Sequence, residues 1–242
     1  VSIQGDGVGV GGAIYANAEA GGQGGSVALQ SAGRNVVLAA DTVIEAKGGG
    51  EVRINQPAPD GTLAKGTVVN DGVVIDTTGG ANNGLIEISG KGMRLGDGLT
   101  LATGTVLFDP WRIRFVGGNT ASNQDADDNG GVSGIPDGNP DGWPSGMNEQ
   151  LSEDPGDTVQ FDVDGDGELY GVVLDGATIA FEAGAGGIYF DYLFNVRNAT
   201  GAGDVSVTMT TYDAGSIFFA DNTGIVVDGT GSLSLAAAGD LD

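Results

Sequence analysis

Apolar residues in this chain come in short runs, each bounded by glycine, aspartate, asparagine or threonine. Many of the runs alternate with polar residues or are rich in β-branched side chains. In the first half they include Ser26-Val27-Ala28-Leu29, Val36-Val37-Leu38, Thr42-Val43-Ile44, Val52-Arg53-Ile54, Val73-Val74-Ile75, Leu85-Ile86-Glu87-Ile88 and Val106-Leu107-Phe108. Later come Val172-Val173-Leu174, Thr178-Ile179-Ala180-Phe181, Val205-Ser206-Val207, Ile217-Phe218-Phe219, Ile225-Val226-Val227 and Leu233-Ser234-Leu235. A period of two is the signature of a strand with one buried face. No stretch sustains the i, i+3, i+4, i+7 stripe of an amphipathic helix, and glycine recurs too often for helix interiors. The pattern predicts an all-β chain.

The runs also resemble one another. Gly-Gly-Ser-Val-Ala-Leu (24–29), Gly-Glu-Val-Arg-Ile (50–54), Gly-Leu-Ile-Glu-Ile (84–88) and Gly-Ser-Leu-Ser-Leu (231–235) are variants of one phrase. Their spacing predicts a solenoid of coils of roughly 20 residues, with strands stacked at about 4.8 Å. About ten such coils would make a rod on the order of 50 Å long. A β-sandwich also has many short strands. Glycine-rich corners every few residues suit a narrow coil better than long paired strands.

Between these halves, Gly117 to Asp157 breaks the pattern. It is rich in Gly, Asp, Asn and Pro and has no Lys or Arg. A structureless loop of that length is uncommon inside a compact domain. The expected organisation is therefore coils over 1–116, an acidic loop insert over 117–157, and continuing coils over 158–242.

Composition narrows the chemistry. The 242 residues include 47 Gly, no Cys and no His. Disulfides, thiol nucleophiles, thiolate zinc sites and histidine general bases are all excluded. With 9 Lys+Arg against 33 Asp+Glu, the formal charge is −24, which disfavours nucleic acid and anionic lipid as partners. Nearly all of that charge falls after residue 114, where Arg197 is the only basic side chain. No apolar run approaches the roughly 18 residues of a membrane span, so no membrane insertion is expected. Residues 1–20 lack the basic and apolar regions of a signal peptide. The chain opens in mid-pattern at Val1-Ser2-Ile3-Gln4, which reads as a segment of something longer.

Residues 24–116 carry a more specific likeness. Gly72-Val73-Val74-Ile75-Asp76-Thr77-Thr78-Gly79-Gly80 is followed by Gly84-Leu85-Ile86-Glu87-Ile88-Ser89-Gly90-Lys91. Then comes Gly104-Thr105-Val106-Leu107-Phe108-Asp109-Pro110, with Arg112-Ile113-Arg114-Phe115 after it. This order of phrases resembles a block in filamentous-haemagglutinin-like exoproteins, large bacterial adhesins that leave the cell by two-partner secretion. The amino-terminal secretion module of that group, with its Asn-Pro-Asn-type motifs, is not visible here. The resemblance implies a right-handed parallel β-helix, an outer-membrane secretion partner, and an adhesive or matrix role. It places the protein outside a Gram-negative cell, secreted or on the surface. The partner there would be a receptor or polysaccharide of a host or neighbouring cell. Two other functions stay open: a filament subunit that self-associates end to end, and a carbohydrate-binding or polysaccharide-degrading β-helix.

The strongest ligand motif is Asp162-Val163-Asp164-Gly165-Asp166-Gly167-Glu168. Alternate Asp side chains on a tight loop converge, and hard oxygen ligands at that spacing suit Ca²⁺. The bidentate Glu of a helix-loop-helix site is missing, since Val173 stands where it would fall. Asp125, Asp127 and Asn129 repeat the pattern in the insert. The sequence-derived metal candidates are thus Asp162, Asp164, Asp166, Glu168, Asp125, Asp127 and Asn129. Solvated acidic turns give the same strings without a metal. No pair among the 33 carboxylates stands out as catalytic, so no enzyme is expected.

Two aromatic features complete the picture. Over Tyr189-Phe190-Asp191-Tyr192-Leu193-Phe194, strand alternation puts Phe190, Tyr192 and Phe194 on one face and Tyr189, Asp191 and Leu193 on the other. One of these faces must be core. Trp111 and Trp143 are expected to cap or dock the insert, and Asn198-Ala199-Thr200 is a glycosylation sequon of low specificity.

Overall fold

The computed structural model describes residues 1–19, 22–59, 63–64, 66–80, 84–96, 98–117, 125–126, 158–163, 172–175, 178–196, 205–227 and 231–242. Among these residues there is no helix, and strands follow one another in rungs. The first rung is β1 (Ser2–Gly5), β2 (Val8–Val10) and β3 (Ala13–Tyr15). The second is β4 (Ser26–Ser31), β5 (Asn35–Leu38) and β6 (Val43–Glu45), and the third β7 (Glu51–Ile54), β8 (Gly66–Val69) and β9 (Val74–Asp76). The fourth is β10 (Leu85–Gly90), β11 (Gly92–Leu95) and β12 (Leu99–Ala102).

The fifth rung holds the insert. It runs β13 (Thr105–Pro110), β14 (Arg112–Gly117), β15 (Asp125–Ala126), β16 (Thr158–Val163) and β17 (Val172–Asp175). The sixth is β18 (Thr178–Ala183), β19 (Gly187–Phe190) and β20 (Leu193–Val196). The seventh is β21 (Ser206–Thr211), β22 (Ile217–Phe219) and β23 (Gly224–Val227), and β24 (Leu233–Ala236) opens the eighth.

Outside the insert, strands pair in parallel with a counterpart one rung away. The first face is therefore a continuous sheet eight strands deep, in the order β1-β4-β7-β10-β13-β18-β21-β24. The protein is a parallel β-helix. Its first face spans roughly 35 Å at the usual strand spacing, shorter than the 50 Å expected. The difference lies in the period. Rungs are not a constant 20 residues: Ile88 pairs with Phe108, 20 positions on, whereas Ile54 pairs with Ile88, 34 positions on. Corner loops of unequal length absorb the difference while the strands stay in register.

Register turns the alternation of single strands into interior columns. Leu29, Ile54, Ile88, Phe108, Phe181 and Met209 lie on one line down the first face, all with no exposed surface. Each such apolar side chain contributes about 1.5–3 kcal/mol on burial. From the fifth rung onward the core becomes aromatic. Phe115 stacks on Phe190 with centroids 4.5 Å apart, Phe190 on Phe219 at 4.7 Å, and Phe108 on Phe181 at 5.5 Å. Phe190 and Phe194 are thus core, as alternation suggests. Tyr192 does not join them: the chain turns a corner at Asp191-Tyr192 between β19 and β20, so the alternation resets and Tyr192 is left 38% exposed.

Polar residues inside the corners form ladders of their own. Asn55 sits at a left-handed φ of 53°, tolerable for Asn, and is fully buried. Its Oδ1 accepts from the Ser31 amide (3.0 Å) and hydroxyl (2.9 Å) one rung below. Its Nδ2 donates to the Gly66 carbonyl (2.6 Å) and the Thr67 hydroxyl (3.0 Å). Thr67 in turn donates to the Ser89 carbonyl (2.7 Å). At another corner, glycine is required by crowding: a Cβ on Gly50 would stand 2.3 Å from the Gly25 carbonyl oxygen.

The insert rejoins the helix in an unexpected way. β16 pairs in parallel with β14 on the side opposite β19, so it adds an extra strand to the second face, toward β11. β15 pairs antiparallel with β16, with Asp125 opposite Val159.

Candidate functional site

The sequence-derived calcium motif falls almost wholly outside the described residues. Asp164, Asp166, Glu168, Asp127 and Asn129 lie there, as do Trp143 and Asn198-Ala199-Thr200. The backbone places Asp162 on β16, paired with Val116, and Asp125 on β15. Asp162 therefore belongs to a strand rather than to the tight loop expected of it.

A different set of side chains is brought together on the outer side of the first face. Along β13, Val106 and Phe108 point into the core, which directs Asp109 outward. Asp109 pairs across with Ser89 on β10. One position beyond the Phe108–Phe181 pairing stands Glu182 on β18, itself paired with Thr210 on β21. Glu87 lies two residues before Ser89 on the same outer side, with its carboxylate accepting from the Ser89 hydroxyl at 3.2 Å. Three carboxylates thus occupy three successive rungs.

Their compensation is unequal. Glu87 is 3% exposed and forms an ion pair with Arg53, which also holds Glu51 at 3.1 Å. Burial still pushes the Glu87 carboxyl above its ordinary value, outweighing the attraction of Arg53. Glu182 accepts a hydrogen bond from the Tyr212 hydroxyl at 2.9 Å. Asp109 is 8% exposed, and no described residue donates to it or pairs with it. Burial, reinforced by the charges of Glu182 and Glu87, pushes its carboxyl up to about 7. Tyr212 is pushed up to about 12 by burial and by its bond to Glu182.

Two aromatic side chains stand at the corners that follow these strands. Trp111 sits at the corner after β13, and its indole lies across the glycine corner of the next rung. A Cβ on Gly184 would be 2.9 Å from Trp111 Cε3, and one on Gly186 would be 3.1 Å from Cδ1. Glycine at these positions gives the indole its seat. Tyr212, at the corresponding corner one rung further, is 46% exposed. Around the corner, Tyr189 and Phe218 stand on adjacent rungs with ring centroids 6.2 Å apart, next to an Arg114–Asp191 ion pair.

The arrangement can hold a proton near neutrality at Asp109 and can attract cations. Among the described residues no three carboxylates converge closely enough to hold a metal ion. The Asp109–Glu182 pair was not singled out from sequence, although Asp109 ends the phrase Gly104-Thr105-Val106-Leu107-Phe108-Asp109. Aligning the strands on their interior columns would have placed both acids in one outward column. What defines this protein so far is a parallel β-helix with an acidic, aromatic-flanked patch at one corner. No family model, curated protein or solved structure matches the chain.

Proposed function

We propose that this chain is a stiff β-helical segment of a secreted bacterial surface or matrix exoprotein of the filamentous-haemagglutinin-like group, exported through an outer-membrane partner. The observation that carries the reading is the uninterrupted ladder of the first face, eight strands in parallel register. In such a stack each rung depends only on its neighbours, so length grows without new tertiary solutions. That is the property of a spacer that displays loops and surface patches away from a cell. The phrases over residues 72–115 supply the family, and the absence of Cys accords with export as an unfolded chain. Calcium at Asp162, Asp164, Asp166 and Glu168 would stiffen the acidic segment outside the cell, where the ion is abundant.

The test is antibody labelling of intact producing cells. Labelling without permeabilisation, abolished when the outer-membrane partner is deleted, is the expected result. Labelling only after permeabilisation would overturn the proposal. The row of acids favours carbohydrate binding over polysaccharide cleavage as a second reading, because the exposed Tyr212 ring and the half-buried Trp111 stand at the corners after these strands.

A further inference from the structure

We propose that Trp111, Asp109, Glu182 and Tyr212 form a binding site for an amino sugar, a pyranose bearing a protonated amine. This names a ligand for the rod proposed above and rests on that reading only for where the ligand is met.

Charge sets the first requirement. Asp109 is 92% buried, taking the complement of its 8% exposure, yet its carboxylate has no donor among the described residues. Burial disfavours its charged form, and its oxygens are not among the fully enclosed polar atoms, so their accepting capacity is open to a ligand at the rim. The groups facing it do not relieve that cost. On β10 stands Glu87, already engaged by Arg53 on β7. On β18 stands Glu182, which among the described residues holds the Tyr212 hydroxyl alone. Lys91, at the neighbouring corner, makes no ion pair among the described residues. The missing partner is a cation that brings several N–H donors, since charge-assisted bonds to carboxylates are the strong ones.

Shape sets the second. A bare metal ion needs oxygens converging on one point, which these carboxylates do not supply. An ammonium on a larger body fits better, because its donors reach Asp109 and Glu182 while the body rests elsewhere. Aromatic side chains follow on the same edge: Trp111, two residues after Asp109 and seated over Gly184 and Gly186, and Tyr212, bonded to Glu182 and with nearly half its surface open. A pyranose ring has an apolar C–H face that stacks on such rings, and its ammonium also gains from their π-faces. The net charge of −24 repels anionic polysaccharides and draws cationic ones.

The test titrates the 242-residue chain with a glucosamine oligomer. The chain has two tryptophans, so a Trp143→Phe background lets Trp111 report the binding by fluorescence. The fully N-acetylated oligomer and spermidine serve as the neutral and charge-only arms. The glucosamine oligomer is expected to bind and to change Trp111 emission, with both control ligands at least about tenfold weaker. Asp109→Asn and Trp111→Ala should each weaken binding by about tenfold or more. Tyr212→Phe, which keeps the ring, should weaken it less. Equal affinity for the acetylated oligomer, equal affinity for spermidine, or an unchanged Asp109→Asn variant would overturn the proposal. Should either variant fail to fold, Glu182→Gln must weaken binding of the glucosamine oligomer by about tenfold, and an unchanged affinity would refute the site. Because binding is measured on the isolated chain, its failure leaves the surface-rod reading standing, and failed cell labelling leaves the site standing.

Discussion

Replacing Asp109 with Asn tests the electrostatics of the acidic row directly. In the unfolded chain this carboxyl has its ordinary value of 3.8, and in the fold burial and the charges of Glu182 and Glu87 raise it to about 7. The folded state therefore binds the proton more tightly than the unfolded chain. The stability this contributes is complete below about pH 4 and is lost as pH rises through about 7. The gap between the two values corresponds to about 4 kcal/mol at ~1.4 kcal/mol per tenfold. That is a ceiling, because solvent at the rim of the patch screens part of the charge. Asn keeps the shape and cannot ionise.

The assay is urea denaturation followed by far-ultraviolet circular dichroism at a series of pH values. Other groups titrate in the same range, so the informative quantity is the difference between wild type and Asp109→Asn. Glu87, also raised by burial, acts in the same direction. Glu45, lowered chiefly by its bond from Lys47, acts in the opposite one and loses its contribution as pH falls. The two proteins should differ little near pH 4. Above pH about 8 the variant should be more stable by about 2–4 kcal/mol. Parallel curves across this range would show that Asp109 ionises freely, and the account of the row would fail.

Three further outcomes are expected. Arg53→Met leaves Glu87 buried without its partner and should cost about 3 kcal/mol above pH 7, less in acid where Glu87 takes up a proton; denaturation at two pH values checks this. Asn55→Ala removes the side chain that bonds to Ser31, Gly66 and Thr67 from a left-handed position, and should cost about 3 kcal/mol in the same assay. If Asp162, Asp164, Asp166 and Glu168 hold Ca²⁺, adding the ion after EDTA treatment should raise the melting temperature, and Asp164→Asn with Asp166→Asn should abolish the rise; a melt indifferent to Ca²⁺ would remove the metal from the proposal.

The solenoid was legible because its cause is local. Glycine bounds each strand, alternation orients each strand, and repeating phrases such as 50–54 and 84–88 pair with each other in the fold. The period was not legible. Between Ile54 and Gly66 the chain spends eleven intervening residues on a corner that other rungs turn in a few, and nothing in the apolar pattern counts them. The face assignment of Tyr192 failed for a related reason, since alternation holds only within a strand and a corner intervenes at Asp191. The acidic row was partly in view. Glu87 and Asp109 both sit in phrases that mark the family likeness, where they read as fold signatures. Their burial depends on which rungs lie above and below, and Glu182 arrives beside Asp109 only after the insert has been passed.

That detour explains why the patch sits where it does. Phe108 on β13 pairs with Phe181 on β18, so the excursion between them leaves the first face uninterrupted. On the second face β16 is accommodated beside β14, and on the third the ladder stops at β17, with β20 and β23 paired separately among the described residues. The core at this level is filled by large rings, Phe108, Phe115, Phe181, Phe190 and Phe194. Rigid aromatic packing fixes the strands that carry Asp109 and Glu182 on their outer sides, and glycine corners at 184 and 186 free the space that Trp111 occupies. A carboxylate this deeply buried, with no bonding partner among the described residues, requires such support, because a softer scaffold would relax to hydrate it more fully. Truncating Phe115 to Ala should therefore do more than cost the about 3–5 kcal/mol typical of a buried ring. It should loosen the row and bring the Asp109 carboxyl back toward its ordinary value, visible as a smaller pH-dependent difference between the Phe115→Ala protein and its Asp109→Asn derivative. A difference as large as in the parent would mean that burial of Asp109 depends on its immediate neighbours alone and not on the aromatic core beneath.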